Sequence, residues 1–312
     1  MRPIRKALLG NDVTVATAAH GNCATTKIAL ETLLASTEGD FELILVDDCS
    51  PDDTRSLFLE IRKAHPRTRI FAFDRNLEYT NSVNSILSHA SGQWVLFLSN
   101  DIFATPAYFR ELFLVAGSNP RFGIVRGCSN FVDNQLPSHN IAMPAGVDTV
   151  AKVGEFAETF AEAHHGRYAI DSFLTGDAFL VSRNVLNAIG TFDQGYDGYF
   201  ADHDFGIRAR NAGFDLVLAK GAFAFHQASA NFGYLPVDLQ ENKLATRWNR
   251  VLAAWEIFKE KYGLPRMQAY SSVLDIPWDE LSTAGIGADQ IFCPPGDYSR
   301  YLVGEQESVA GS

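Results

Sequence analysis

Gln93-Trp94-Val95-Leu96-Phe97-Leu98-Ser99-Asn100-Asp101 is the stretch on which the fold turns. Its apolar residues show no helical period and are bounded by polar ones, which reads as a short strand buried on both faces. The run stops at Ser99, Asn100 and Asp101, and Thr105-Pro106 then supply an N-cap and first position for a new helix. In α/β proteins ligands sit beyond the carboxyl ends of such strands, so Asp101 stands where a hard cation or a ligand is held. An aspartate after a strand also opens turns, and taken alone that simpler reading prevails.

Upstream, the same unit repeats. Val13-Thr14-Val15-Ala16-Thr17 is a strand that runs into the small, polar loop Ala18-Ala19-His20-Gly21-Asn22, with Leu30, Leu33 and Leu34 marking a helix after it. Phe41-Glu42-Leu43-Ile44-Leu45-Val46 is a second strand, ending in Asp47-Asp48. Ser50-Pro51-Asp52-Asp53 reads as a helix start, with Ser50 as N-cap and Pro51 at the first position. Asp52 and Asp53 are then structural, and Asp47 and Asp48 are free to meet a ligand, as paired acids suit a ribose or a base N–H. Arg69-Ile70-Phe71-Ala72-Phe73 is a third strand, followed by Asp74-Arg75-Asn76 and a helix face of Val83, Ile86, Leu87 and Ala90. Three alternations predict a Rossmann-like, mostly parallel central sheet flanked by helices. Right-handed crossovers gather the strand ends on one side, so Thr17, Asp48, Asn76 and Asp101 are expected to line one crevice. His20 and Asn100, on the adjoining loops, complete the nucleotide-binding candidates.

Downstream, Phe109, Leu112, Phe113 and Ala116 mark a helix and Phe122-Gly123-Ile124-Val125 a strand; from Ser129 to about Gly146 the pattern dissolves into loop residues. Val153, Phe156, Ala157 and Phe160 restore a helix that ends at His164-His165. Adjacent side chains on a helix point apart, so these histidines suit the helix C-terminus better than a metal. Ser172 to Val181 reads as a strand broken by Gly176, either a bulge or a place where a ligand approaches the backbone, with Asp177 beside it. An acid-rich stretch follows, from Phe192-Asp193 to Asp202-His203-Asp204-Phe205. Asp202 can cap the helix that ends at Gly213, yet it arrives on a loop walled by Tyr196, Tyr199 and Phe200. Leu216-Val217-Leu218 and Ala222-Phe223-Ala224-Phe225 are expected as two strands, the second ending at His226. Leu244, Trp248, Val251, Leu252, Trp255, Phe258 and Tyr262 then define one long amphipathic helix whose aromatics are expected to pack on the domain. The residues after Gly263 are irregular and Val303 to Ser312 form a tail.

Composition removes several classes of function. The 312 residues are 46% hydrophobic, enough for one large core, and the net charge of -11 argues against a nucleic-acid partner. That charge also argues against a purely electrostatic hold on an anionic membrane. No apolar run approaches the ~20 residues of a membrane span, and the basic start has too short an apolar segment for a signal peptide. Cys23, Cys49, Cys128 and Cys293 show neither metal-site spacing nor a disulfide framework, which points to a reducing cytoplasm. No G-x-G-x-x-G, Walker A or G-x-S-x-G pattern occurs.

Together these residues resemble the nucleotide-sugar-dependent glycosyltransferases of family 2, with the GT-A fold, from Val13 to about Ser229. The specific stretches are Val46-Asp47-Asp48-Cys49-Ser50-Pro51-Asp52, Leu96-Phe97-Leu98-Ser99-Asn100-Asp101, and Gly190-Thr191-Phe192-Asp193 through Arg208-Ala209-Arg210-Asn211-Ala212-Gly213. Phe258-Lys259-Glu260-Lys261-Tyr262-Gly263 is similar to a helix end of the O-antigen or rhamnosyltransferase-like branch. The resemblance implies a GT-A domain over residues 12–230, with a nucleotide-sugar half at 12–128, an acceptor half at 129–230 and a C-terminal helical extension at 231–312.

It implies that Asp48 meets the nucleobase, that Asn100 lies near the ribose and that Asp101 is the last acid of the D-x-D motif, holding Mg²⁺ or Mn²⁺. Asp202 matches the catalytic base, and His226 a histidine that closes the diphosphate site and can join the metal. Gly176, Asp177 and Asp204 are the candidates beside the donor or acceptor sugar, with Asp204 the fallback base. Two departures stand out: Ser99 replaces the first D-x-D acid, and Ala201 replaces the glutamate before the base.

The expectation is an inverting transferase taking a nucleoside-diphosphate sugar to a glycan or lipid-linked acceptor, in the cytoplasm and compatible with peripheral contact at the inner membrane face. A sugar-nucleotide pyrophosphorylase would need a Gly-rich, basic loop where Ala18-Ala19-His20-Gly21-Asn22 stands. A glycosidase would use two carboxylates without a nucleotide crevice. A non-catalytic nucleotide-sugar or carbohydrate-binding module, suggested by Ser99, would bind donor without hydrolysis or transfer.

Overall fold

The computed structural model describes residues 5–134, 136–227, 237–264 and 270–303, with side chains of the last long helix described from residue 245 onward. In chain order the first half comprises β1 (Ala7–Leu9), β2 (Val13–Ala19), α1 (Cys23–Ser36), β3 (Thr37–Gly39), β4 (Glu42–Asp47), α2 (Thr54–Ala64), β5 (Thr68–Ala72), α3 (Glu78–His89) and β6 (Trp94–Leu98). The second comprises β7 (Ile102–Ala104), α4 (Pro106–Ala116), β8 (Phe122–Ser129), α5 (Val150–His164), β9 (Tyr168–Asp171), β10 (Ala178–Ser182), α6 (Arg183–Ile189), α7 (Ala201–Asn211), β11 (Asp215–His226) and α8 (Val237–Lys261).

The main sheet has the order β5-β4-β2-β6-β10-β8-β11-β7, with β9 also on β11. The strands read from the upstream alternation form the parallel run β5-β4-β2-β6. Beyond β6 the sheet is mixed: β10 is antiparallel to both neighbours, while β11 is parallel to β8 and antiparallel to β7 and β9. The unbroken apolar runs have a direct cause, because both faces are covered. Leu43, Leu45, Leu96 and Leu98 pack with Leu30, Phe58 and Leu112 of α1, α2 and α4. Their strand neighbours Ile44, Val46, Val95 and Phe97 pack with Ile86, Val185, Phe205 and Phe258 of α3, α6, α7 and α8. The long C-terminal helix thus shares the core of the sheet.

Local expectations hold unevenly. Thr105 does cap α4, its side chain accepting from Tyr108 N, with Pro106 at the first position. Ser50 does not cap α2, which begins at Thr54 with Asp53 as N-cap. Instead Ser50 Oγ accepts from Gly21 N at 2.9 Å and donates to Ala19 O at 3.3 Å, tying two strand-end loops together. Asp52 does the same, accepting from Cys23 N and Thr54 N. The strand expected from Ser172 is confined to β10, and Gly176 lies in the turn before it. The two strands expected over 216–225 are one, β11, whose register on β8 shifts between Leu218 and Phe223, a bulge that keeps a single strand continuous. His165 closes α5 by pairing its Nδ1 with Glu111 Oε1 at 2.7 Å.

After Gly263 the described chain returns to the sheet margin: Leu302 bridges Phe73, and Val303 N donates to Ala72 O at 2.8 Å, covering the outer edge of β5. The side chain of Leu244, the segment at 228–236 and the tail at 304–312 lie outside the described residues. Among the described residues no helix is long and apolar enough to cross a membrane.

Candidate active site

The ends of β6 and β11, the turn before β10 and the start of α7 meet at one cavity of about 1010 Å³, roofed by α8. Of the residues singled out in the sequence, Asn100, Asp101, Gly176, Asp177, Asp202 and His226 line it. Such a volume is at the upper end for small-molecule sites, room enough for a dinucleotide-sized ligand.

Asp202 lines the cavity and is not the cap of its helix. The N-cap of α7 is Phe200, at φ 64, and Asp202 sits in the first turn. Its Oδ2 accepts from Gly176 N at 2.7 Å and its Oδ1 from His203 N at 2.9 Å. Phe200 is a bulky residue in the left-handed region, a conformation costing on the order of 1–3 kcal/mol. It persists because its buried ring is clamped by Trp255, Phe258 and Tyr270. Gly176 serves this arrangement. A Cβ there would come within 2.9 Å of Asp202 Cβ and closer still to the Tyr79 hydroxyl, so the glycine admits the carboxylate rather than a ligand. Tyr79 Oη donates to Gly176 O at 2.6 Å and fixes the same turn.

Across the cavity, Asp101 meets His226: Nε2 lies 3.4 Å from Asp101 Oδ1, and Nδ1 lies 3.0 Å from Phe131 O and 3.8 Å from Asp177 Oδ2. Burial alone would lower the imidazole pKa, but the hydrogen bond and charge of Asp101, with Asp177 behind it, push it up to about 9. Among the described residues no three His, Cys, Asp or Glu side chains form a ready-made metal site. A cation shared by Asp101 and His226 would take the place of their direct contact and needs the imidazole unprotonated at Nε2. The donor set still fits one: an acid and an imidazole at adjacent strand ends, with Asp177 Oδ2 wholly buried and lacking a hydrogen-bond partner.

The remaining nucleotide candidates do not line this cavity. The Thr17 hydroxyl donates to Leu98 O, and His20 Nδ1 contacts Asp48 O at 2.7 Å. Asp48 Oδ1 accepts from Leu77 N at 2.6 Å; burial raises its pKa, partly offset by that bond. Asn76 Oδ1 accepts from Glu78 N at 2.8 Å; Asn100, which does line the cavity, donates its Nδ2 to Thr26 Oγ1 at 2.9 Å. Thr17 thus ties the end of β2 to the end of β6 and Asn76 holds its own turn onto Glu78, which corrects the expectation that both line one crevice with Asp101.

Asp204 is a second correction. It is fully buried, with Oδ2 on Arg208 Nε at 2.7 Å and Oδ1 on Lys261 Nζ at 2.7 Å and on Tyr262 Oη at 2.9 Å. It locks α7 to α8 and reaches no substrate.

Other wall residues escaped the sequence reading. Tyr79, Arg247, Trp248 and Arg250 all line the cavity, beside the expected Tyr199 and Phe200. Arg250 pairs with Glu78 and Asp197, each at 3.1 Å, and Arg247 with Asp133 at 3.0 Å. Trp248 is 48% exposed, unlike Trp255 and Phe258, so the helix expected to pack all its aromatics offers one to the cavity. The only available signal was Arg247-Trp248-Asn249-Arg250 itself, a basic interruption in an otherwise apolar face.

Comparison with known proteins agrees with this architecture. The chain is similar to the succinoglycan biosynthesis protein ExoO of Rhizobium meliloti, with 31% identity over 56% of this chain; the match spans 43% of that protein's length. It is 24% identical, over 67% of this chain and 74% of the other, to the N-acetylglucosaminyl-diphospho-decaprenol L-rhamnosyltransferase of Mycobacterium tuberculosis. The fold is shared with the mannosyltransferase PcManGT of Pyrobaculum calidifontis, solved with GDP-Man and Mn²⁺: the TM-score is 0.51 at 16% identity, over 69% of this chain and 56% of that one. The sequence profile described as Glycosyl transferase family 2 matches residues 14–190, over half of the chain and the whole parallel run of the sheet, and the chain belongs to that family.

Proposed function

We propose that this protein transfers a sugar, with inversion, from a nucleoside-diphosphate sugar to a hydroxyl of a glycan or lipid-linked acceptor. The observation that carries the reading is Asp202, a carboxylate facing the same cavity as Asp101 and His226 and held by two backbone N–H groups. An acceptor hydroxyl is a poor nucleophile until its proton is taken, and Asp202 is the group placed to take it. Attack from that side, opposite the departing diphosphate, inverts the anomeric carbon in one displacement. Asp101, with His226, is the set that would hold a divalent cation, which when bound supplies Lewis-acid stabilisation of the leaving diphosphate. His226 adds positive charge beside Asp101, while Arg247 and Arg250, which also line the cavity, are paired with Asp133 and with Glu78 and Asp197. Asp48 and Asn100 are proposed for the nucleoside, which requires Leu77 N or Thr26 to exchange its hydrogen bond for the ligand. The names of the relatives, two of them from glycan assembly, support a polysaccharide or lipid-linked acceptor.

A thermal-shift panel of UDP-, GDP- and dTDP-sugars, with and without Mn²⁺, tests this directly. A ligand that binds the native state at a hundred times its Kd stabilises it by about 2.7 kcal/mol. One nucleotide class should raise the melting temperature, more so with Mn²⁺, and that donor should be slowly hydrolysed. Binding of a donor without hydrolysis or transfer to any acceptor would instead describe a non-catalytic sugar-nucleotide receptor.

A further inference from the structure

Ser99 stands at the end of β6 where resemblance to family 2 enzymes leads to an acid, which leaves Asp101 alone of the pair. β10 runs antiparallel to β6 with Ala178 opposite Leu98, and the ladder continues one step, Ser99 N donating to Asp177 O at 2.9 Å. Asp177 is therefore the residue across from Ser99. Directly opposed residues of antiparallel strands project on the same face with Cβ atoms about 4.5–5.5 Å apart. The carboxylate missing from one strand is present on its neighbour.

The two oxygens of Asp177 have different surroundings. Oδ1 accepts from Nη2 of the buried Arg126 at 3.0 Å. Oδ2 is wholly buried and has no hydrogen-bond partner, and it lies 3.8 Å from the ring of His226, whose other nitrogen faces Asp101. Neutralising Arg126 needs only one of these oxygens. A buried carboxylate oxygen without a donor is unfavourable unless another positive group satisfies it. Hard divalent cations take carboxylate oxygens, and an imidazole in the set tilts it toward Mn²⁺.

We propose that Asp177 is a ligand of the divalent cation, supplying from β10 the carboxylate that position 99 lacks, with Arg126 holding it in place. This rests on the metal-assisted reading above and moves Asp177 from the sugar contact expected in the sequence to the cation. The test is Mn²⁺ binding to the full chain, followed by the electron paramagnetic resonance signal of free Mn²⁺, with the metal alone and with inorganic pyrophosphate. Asp177→Asn keeps an amide oxygen for Arg126 and removes the second carboxylate oxygen. Loss of a mere outer-shell partner costs roughly 10–100-fold in metal affinity, so this variant should bind Mn²⁺ at least ten-fold more weakly. Adding Ser99→Asp to it should restore binding, which no role in sugar contact or in pairing Arg126 would produce.

Undiminished binding by folded Asp177→Asn, where Asp101→Ala abolishes it, would overturn this inference and leave the metal reading standing. No Mn²⁺ binding by the unaltered protein under either condition would remove the metal reading and this inference with it. Should Asp177→Asn fail to fold, the single Ser99→Asp variant decides. Tighter Mn²⁺ binding places the cation between the two strands, and unchanged binding removes it from there.

Discussion

Asp202 and Asp204 lie two residues apart on one helix and do opposite things. Residues at i and i+2 of a helix do not share a face, so α7 turns Asp202 to the cavity and Asp204 into the protein. Asp204 neutralises Arg208, which is itself fully buried and also donates to Ile189 O, Thr191 O and Ile291 O. Removing one partner of a buried ion pair leaves an uncompensated charge and costs about 3–5 kcal/mol. Asp204→Ala should therefore lower stability by that order in a denaturant titration, and a variant as stable as the parent would contradict the structural role. The sequence ranked Asp202 first and kept Asp204 as the fallback base, because both sit in the first helical turn and neither shows its partners there. Only the partners on α8, some sixty residues later, distinguish them. Tyr79 was illegible for the same reason: its use depends on meeting Gly176 across the fold.

At the scale of elements, Glu42 shows how the parallel half is pinned. It begins β4 and accepts from Thr14 Oγ1 on β2, Arg69 Nη1 on β5, and Ser91 N and Oγ just before β6. Four strands are thus registered by one carboxylate. Burial by itself would raise its pKa, but the bonds from Thr14, Ser91 and Arg69 outweigh it and hold the pKa below the ordinary glutamate value. A folded-state pKa below the unfolded one means that the stabilisation is complete above the unfolded carboxylate range and is lost as pH falls through the folded value. Glu42→Gln should destabilise the protein at neutral pH by roughly 1.5–3 kcal/mol, and should flatten the loss of stability on acidification below about pH 4. Parallel pH–stability curves for parent and variant would show that Glu42 is not responsible. These strands were legible as short apolar runs ending in polar residues. The antiparallel entry of β10 was not, since pairing partners leave no mark on a run that is apolar throughout.

Across the whole molecule, the chemistry collects where the parallel half of the sheet meets the mixed half. β6 and β10 are neighbours at that seam, and from their ends come Asp101 and Asp177. The remaining acid arrives from α7 and the cations from β11 and α8. That Asp101 and His226 reach the cavity was legible because each follows an apolar run, and Asp202 because it opens a helix after a glycine- and aromatic-rich loop. The walls were not, because Arg247, Trp248 and Arg250 become cavity residues only once α8 packs over the sheet. What unites these parts is the proposed role of Asp202 as the group that deprotonates the acceptor. The decisive measurement compares Asp202→Asn with the parent protein, taking donor affinity by calorimetry and transfer rate at saturating donor and Mn²⁺ from the same preparations. Loss of general-base help should slow transfer by about 10²–10⁴-fold, with donor affinity and melting temperature unchanged. Near-normal transfer by that variant would contradict the assignment and leave Asp202 with only its structural contacts to Gly176 and His203.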